Sequence, residues 1–516
     1  MRRSGLEHSG HFMIVISGVL VVREPSSAAP GRKSCGPVRL HRIRTPEFSR
    51  SGSYLDASAA GVKIRDQSHR RTLSPMSSRA EPRQIAARMV KALRDAGHVA
   101  YFAGGCVRDE LLGQTPQDYD IATDAWPQHV RKIFRHTREV GASFGVVLVR
   151  ERGVSVEVAT FREEGEYSDR RRPDHVRYAD APSDARRRDF TINALFLDPL
   201  ERGGEAFDTA GPPFPVEGRV IDYVNGVNDL RKRVLRAVGD PEKRLAEDHL
   251  RALRAVRFTA RLGFSMDPPT GEAVRRHATE LAGVSRERIG QELRRMLSHP
   301  TRVEAALLME RLGLDAPALG EPAFADASPA EALPTLAALP MQAGYISSQA
   351  AWELDRLDAR AGEPADALRL DSELGAIVAR LRAAVCLAND ERDLLRWIFS
   401  GLVTLLRDWD GLGVAPQKRI AASRWFADAL CILEARDSER AGRIRRRVDE
   451  LQAIGDGLAP APLISGDELL AMGIPPGPAL GSLLDSLYDA QLEGRICDRE
   501  QALRMATELQ QPPQDV

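Results

Sequence analysis

At 516 residues the chain is too long for one ordinary domain, and a soft prior of roughly 100–200 residues per domain points to three or more units. An apolar content of 43% allows a sizeable core, while aromatics at 5% argue against a large stacking platform for single-stranded RNA. With 73 basic and 73 acidic residues the net charge is zero, so a polyanionic partner must be held by local basic patches rather than by the whole molecule.

Two such patches are the triplets Arg170, Arg171, Arg172 and Arg186, Arg187, Arg188, although an arginine triplet alone is more often a solvated face. The cysteines (Cys35, Cys106, Cys386, Cys431, Cys497) are odd in number and show no CxxC or His-rich spacing, which fits a reduced, cytoplasmic protein without structural zinc. No apolar stretch of about 18 residues is present, so no membrane span is expected. Phe12 to Val22 is apolar but short and imitates a signal peptide behind Arg2 and Arg3. We read residues 1–75, rich in Arg, Ser and Gly, as a disordered extension or the product of an upstream start codon.

Glu81 to Ala96 carries Ile85, Met89, Val90 and Leu93 at helical spacing, ended by Gly97. His98 to Ala103 suits a buried strand, Gly104-Gly105 a turn, and Val107 to Leu112 a short helix. Asp118 to Thr123 reads as a second strand, and Val146 to Val149 with Val154 to Thr160 as a hairpin turning near Arg152-Gly153. Ile192 to Leu197 adds a further strand, giving an α/β unit over 81–200 with a mostly antiparallel or mixed sheet. Beyond, helices dominate: Leu230 to Ala237, Pro241 to Leu262, Gly271 to Leu281 and Ser285 to Leu297. Pro and Ala mark a linker around 315–345, a second helical block runs from Gln349 to Leu458, and a last helical module spans 463–516. The expected units are an extension (1–75), a catalytic head (76–225), a neck that reads the base (226–315), a body (316–460) and a tail (461–516).

Four segments carry chemistry. In Ala103-Gly104-Gly105-Cys106-Val107-Arg108-Asp109 a strand runs through two glycines into a helix, so backbone N–H groups and Arg108 can approach phosphate oxygens. In Asp118-Tyr119-Asp120, residues i and i+2 of a strand share a face, and two adjacent carboxylates invite a hard cation such as Mg2+. Glu157 is a candidate third carboxylate, with an exposed strand position as the alternative. In Arg186 to Ala194, Arg188 suits a triphosphate and Asp189 a ribose hydroxyl. In Glu247 to Phe258, Asp248, Arg251, Arg254 and Arg257 step round one helix side at about 60° intervals, opposite Leu253, Val256 and Ala260, and offer acceptor and donors to a base edge. A helix bearing charged pairs is the bland alternative for that last segment.

Together these ordered segments closely resemble the bacterial poly(A) polymerase and CCA-adding tRNA nucleotidyltransferase family of class II, over roughly 81–315 with a further similarity at the tail. GGCVRDELLG…QDYDIAT is similar to its metal-binding motif, FREEGEYSDRRRPDHVRYA to its flexible loop, RRRDFTINALFLDP to its ribose and triphosphate motif, and EDHLRALRAVRFTARLGF to its base-recognition helix. The resemblance implies an α+β fold, with a polymerase-β-like head followed by an all-α neck, body and tail. It implies that Asp118 and Asp120 bind magnesium and that Gly105, Arg108, Arg188 and Asp189 hold the incoming nucleotide. Asp248 and Arg251 would read CTP or ATP, with Arg254 and Arg257 supporting them or touching the triphosphate, and with tRNA as the partner gripped by the tail. Poly(A) addition, A addition alone, and a non-catalytic tRNA-binding role are the alternatives. No His-Asp pair follows, so no phosphohydrolase domain is expected.

Overall fold

The computed structural model describes residues 13–16, 19–22, 77–139, 145–164, 176–201, 212–321 and 332–509. Residues 1–72 form a unit apart, in which β1 (Met13–Ile16) pairs antiparallel with β2 (Val19–Val22). The rest of the expected extension lies outside the described residues, as do most of the loop expected at 161–180 and the triplet Arg170–Arg172.

In the second unit, α1 (Ser77–Asp95) buries Ile85, Met89, Val90 and Leu93, the face read from their spacing. The head then places β3 (Ala100–Ala103), α2 (Gly105–Leu111), β4 (Asp120–Thr123), α3 (Pro127–Ile133), β5 (Thr137–Glu139), β6 (Val146–Glu151) and β7 (Val154–Thr160). A hairpin of β8 (Arg162–Glu164) and β9 (Val176–Tyr178), helix α4 (Ala181–Arg186), β10 (Phe196–Asp198) and β11 (Arg219–Ile221) follow. Seven strands form one sheet in the order β11-β10-β3-β4-β7-β6-β5, antiparallel throughout except for the parallel pair β4–β7. The β6–β7 turn puts Arg152 (φ 49) and Gly153 (φ 86) at positive φ, a turn whose twist matches a tight hairpin. Val147, Val149, Val156 and Val158 are buried alternately, which fixes the hairpin register.

Four expectations are corrected. Asp118 lies in a bend before β4, so only Asp120 of the pair is on the strand. Ile192 sits in a 3-10 turn, Thr191–Asn193, and the strand begins only at Phe196. The segment read as a helix to Ala237 is α5 (Gly226–Lys232), stopped by Arg233 at φ 52, and then β12 (Val234–Leu235). The single helix read over Pro241 to Leu262 is two, α6 (Pro241–Glu247) and α7 (Leu250–Leu262). The break falls at Asp248, whose backbone is extended (φ −151, ψ 103) and whose Oδ1 accepts from Leu250 N at 3.1 Å. A short acceptor side chain here competes with the helical ladder and caps the second helix. Asp248 therefore precedes the arginine helix instead of belonging to it.

The neck continues through β13 (Ser265–Met266), parallel to β12, then α8 (Pro268–Arg276), a 3-10 turn at Thr279–Gly283 that closes the stretch read as helix to Leu281, and α9 (Arg286–Leu297). The expected linker contains α10's continuation into short helices: α10 (Arg302–Arg311) is followed by α11 (Asp315–Leu319) and α12 (Pro334–Ala338), with 322–331 outside the described residues. The body is α13 (Tyr345–Ala361), α14 (Ala367–Val385), α15 (Asn389–Arg407), α16 (Val414–Ala421), α17 (Phe426–Arg436) and α18 (Ser438–Gln452). One apolar core runs from Ile85 in α1 to Leu451 in α18 and joins head, neck and body. Within it Trp352 is fully buried and its Nε1 donates to Glu310 Oε1 at 2.8 Å. Beside it Arg356, 7% exposed, pairs with Glu310, Asp315 and Glu321. The tail, α19 (Gly466–Ala471), α20 (Pro478–Leu492) and α21 (Arg499–Glu508), packs around its own core of Ile464, Leu469, Ile474, Leu487 and Ala502. Among the described residues no helix is long and apolar enough to cross a membrane.

Gly290 is where α9 meets the end of α14: a Cβ there would stand 2.1 Å from the Val385 carbonyl oxygen. Gly290→Ala must push the two helices apart, and overpacking of this kind costs about 1–3 kcal/mol. The urea midpoint is expected to fall with an unchanged slope; an unchanged midpoint would show that the contact yields freely.

Candidate active site

A cleft of about 930 Å³ opens between head and neck, and every candidate site residue read from the sequence lines it. Ten arginines and six carboxylates are among its described lining residues.

The head contributes the acids. Tyr119 is buried against Phe102 (ring centroids 5.1 Å apart), and its hydroxyl donates to Glu110 Oε1 at 2.8 Å. Arg83 donates to the same carboxylate, Nε to Oε1 at 2.8 Å, and the phenol is held above its usual range by burial and by that acceptor. Anchoring Tyr119 inward turns both flanking aspartates to the cleft, the result expected from strand alternation but achieved by a bend and a strand start. Glu157 is the register partner of Asp120 across the parallel β4–β7 pair and lines the same cleft. Burial and then the charges of Asp118 and Glu157 push the Asp120 carboxyl up to about 7, against the opposing pull of Arg188. Asp118 and Glu157 are exposed and Asp120 is half-buried; three hard oxygen donors of like charge gathered at the cleft wall are what a divalent cation relieves, so this donor set fits the cation that the resemblance implies. Cys106 lies beneath, with Sγ 3.4 Å from Ala103 O and 3.9 Å from Asp120 O, and burial pushes its thiol up to about 12, so it packs and does not react.

Gly104 joins β3 to α2 at φ 76, ψ −124, and a Cβ there would meet Arg188 Nη1 at 3.0 Å. The glycine is thus required by conformation and by the guanidinium packed on it. Arg108 is buried, donates to Asn193 Oδ1 at 2.6 Å and Asp109 Oδ1 at 2.6 Å, and lies 5.2 Å from the Phe258 ring centroid. Arg187 and Arg188 both donate to Asp184, whose carboxyl stays below its usual range because they outweigh the cost of its burial. Asp184 therefore aims Arg188 into the cleft. Asp189 accepts from Phe190 N at 2.8 Å and Asn193 Nδ2 at 3.2 Å through Oδ1, and from Arg254 Nε at 2.8 Å through Oδ2. Burial would raise its pKa, but Arg254 and Arg251 win and hold it at about 2.

The neck supplies further arginines, and Arg251, Arg254, Arg257, Arg288 and Arg295 each have a carboxylate partner. Asp248 receives Arg288 from α9, Nη2 to Oδ2 at 2.6 Å. Arg251 pairs with Glu247 and donates to Arg244 O at 2.7 Å. Arg257 donates to Glu292 Oε2 at 2.6 Å and lies 4.3 Å from the Phe258 centroid. The ladder thus reaches the cleft, but as interlocked ion pairs and not as a free row. Asn193, Phe258, Arg288 and Arg295 also line the cleft and were not singled out in the sequence. Arg288 and Arg295, seven residues apart on a helix, share a face, which is the one signal that was available for them.

A family profile described as the poly A polymerase head domain matches residues 100–236, and one described as a probable RNA and SrmB-binding site of polymerase A matches residues 263–327. The chain is 40% identical to a CCA-adding enzyme of Geobacillus stearothermophilus over 236 residues, 46% of this chain and 54% of the relative. With the CCA-adding enzyme of Lactobacillus helveticus it shares 43% identity over 48% of the relative, so the chain spans about half the length of these relatives. A CCA-adding enzyme of Limosilactobacillus fermentum is 31% identical over 441 residues, 81% of this chain and 94% of the relative. The solved structure of the Bacillus stearothermophilus CCA-adding enzyme in complex with CTP superposes with a TM-score of 0.60 at 27% identity, covering 85% of this chain and 98% of that one. The Thermotoga maritima CCA-adding enzyme complexed with tRNA, at 18% identity and a TM-score of 0.55, shares the fold.

Proposed function

The chain belongs to the family of CCA-adding enzymes, and we propose on that premise that it adds C, C and A to tRNA 3′ ends from CTP and ATP, without a nucleic-acid template. What carries the reading is that the acids of the head and the arginines of the neck line one cleft. The tRNA 3′-hydroxyl attacks the α-phosphate of the nucleotide and pyrophosphate leaves, so one P–O bond forms as another breaks. Asp118 and Asp120 would hold Mg2+, with Glu157 as a neighbouring acceptor. When bound, the ion would supply positive charge against the negative charge that develops during phosphoryl transfer. Gly105 presents backbone and Arg108 and Arg188 present guanidinium groups to the triphosphate, while Asp189 accepts from the sugar and steadies Arg254. Asp248 and Arg251 meet the base edge, and Arg254 and Arg257 support them. Residues 76–225 are then the catalytic head, 226–315 the base-reading neck, 316–460 the body and 461–516 the tail that grips the tRNA. The four cysteines of the described residues form no disulfide, in keeping with a cytoplasmic enzyme.

Purified protein offered tRNA lacking CCA, tRNA ending in CC, and an unrelated RNA, with ATP and CTP separately and together, tests this. Two C additions followed by one A on tRNA alone are expected. Incorporation of A alone on the C-less end, or long A tails on any RNA, would overturn it in favour of an A-adding or poly(A) enzyme.

Within this reading the Asp248–Arg288 ion pair sets nucleotide choice. Arg288→Ala leaves Asp248 without the partner that orients it, and misplacing one base-edge contact corresponds to about 1–3 kcal/mol of discrimination. The ratio of kcat/KM for CTP over ATP at each tRNA end is expected to move roughly 10-fold or more, and an unchanged ratio would take the pair out of base selection.

A further inference from the structure

On the far side of the Asp248 break lies a second constellation that the reaction does not use. His249, directly before α7, is 3% exposed in its side chain, and its Nε2 is 3.1 Å from Glu280 Oε2. His277, at the end of α8, places Nδ1 2.8 Å from the same oxygen. The imidazoles are stacked with centroids 5.5 Å apart, and the three ligand atoms all lie within 4.8 Å of one another. The other ring nitrogen of His277, Nε2, is 3.1 Å from Glu242 Oε2 on α6, and Arg276 holds the other Glu242 oxygen at 2.7 Å.

We propose that His249, His277 and Glu280 form a binding site for a zinc-class divalent transition-metal ion, with Glu242 orienting the His277 ligand. Two imidazole nitrogens and one carboxylate oxygen are a donor set that selects zinc, cobalt or nickel over magnesium. A metal-bound histidine characteristically donates its second N–H to a carboxylate, which fixes tautomer and ring plane, and Glu242 already occupies that position toward His277. Glu280 is partly exposed, 38% in its side chain, so an ion can enter from solvent and keep water in its open position. The four residues come from α6, the α6–α7 break, the end of α8 and the following 3-10 turn. An ion here ties together pieces that the backbone ladder leaves separate, at the corner that carries Asp248. The absence of a cysteine motif does not count against it, because the spacing of these ligands is set by tertiary packing.

The test is equilibrium titration of metal-stripped full-length protein carrying Asp120→Asn with Zn2+ and with Co2+ in millimolar Mg2+, so that the carboxylate cluster of the head is both weakened and competed for. One equivalent of Zn2+ is expected at micromolar or tighter affinity, with a visible Co2+ absorption band that Zn2+ bleaches. His277→Ala and Glu280→Gln should each weaken Zn2+ binding at least 100-fold and abolish the band. Glu242→Gln keeps all three ligands and should weaken it roughly 10–100-fold; it remains decisive if His277→Ala does not fold. No stoichiometric Zn2+ binding by the Asp120→Asn protein, or binding that all three further variants retain, would overturn the site and leave a hydrogen-bonded ion cluster.

Discussion

Asp120→Asn is expected to lose nucleotide incorporation by roughly 100-fold or more while making the metal-free protein more heat-stable at alkaline pH. The two effects share one cause. Burial and the charges of Asp118 and Glu157 raise the folded-state carboxyl to about 7 from 3.8. The fold therefore prefers the protonated form. The penalty is absent below the unfolded value, grows as pH rises toward 7, and is complete above it. Asparagine carries no charge, so the melting-temperature difference between variant and wild type should widen from pH 5 to pH 8 in chelator. Mg2+ should narrow it by raising the wild type alone. Calorimetric melts at the two pH values, with and without Mg2+, and incorporation of labelled CTP read both halves. Full activity in the variant would remove Asp120 from the metal site, and a pH-independent difference would remove the repulsion.

Arg356→Ala should be the most damaging single change to the body. The guanidinium is buried between Glu310, Asp315 and Glu321, and Glu321 is in turn held by Arg360 and by Arg380 at 3.0 Å. These neighbours outweigh its burial and raise the Arg356 pKa further, so it stays charged. Removing it leaves carboxylates that water reaches poorly, and breaking such a pair costs about 3–5 kcal/mol. Arg356→Met, which keeps much of the packing against Trp352, should recover only a small part. Adding Asp315→Asn should recover more, since Asp315, unlike Glu321, has neither Arg360 nor Arg380 beside it once Arg356 is gone. If the double variant is no better than Arg356→Ala in urea unfolding, packing rather than charge explains the loss.

The head was legible because its signals are local. Alternating valines mark the β6–β7 hairpin, and glycines mark the turn into α2. The break at Asp248 was not legible because the i, i+3 spacing of Asp248, Arg251, Arg254 and Arg257 runs through it without a glycine or proline. What ends the first helix is a side-chain hydrogen bond to Leu250 N, and aspartate is compatible with either outcome. The partners of the ladder were illegible for a different reason. Arg288 and Glu292 lie on another helix, and Asp189 is on the head, so charge pairing depends on how α7 and α9 pack. The candidate residues were therefore readable one by one, while their wiring was not.

The tail's separate core has a mechanical consequence. Its apolar side chains cluster apart from those that join head, neck and body, and the Arg419 ion pairs to Asp485 and Asp489 at the α16–α20 contact are exposed. Exposed pairs yield at little cost, and a small core opens as its own cooperative unit. A load on the tail is then dissipated at this joint before it reaches the cleft. The far end of the molecule can tilt while the spacing of Asp118 and Asp120 from the arginines stays unchanged.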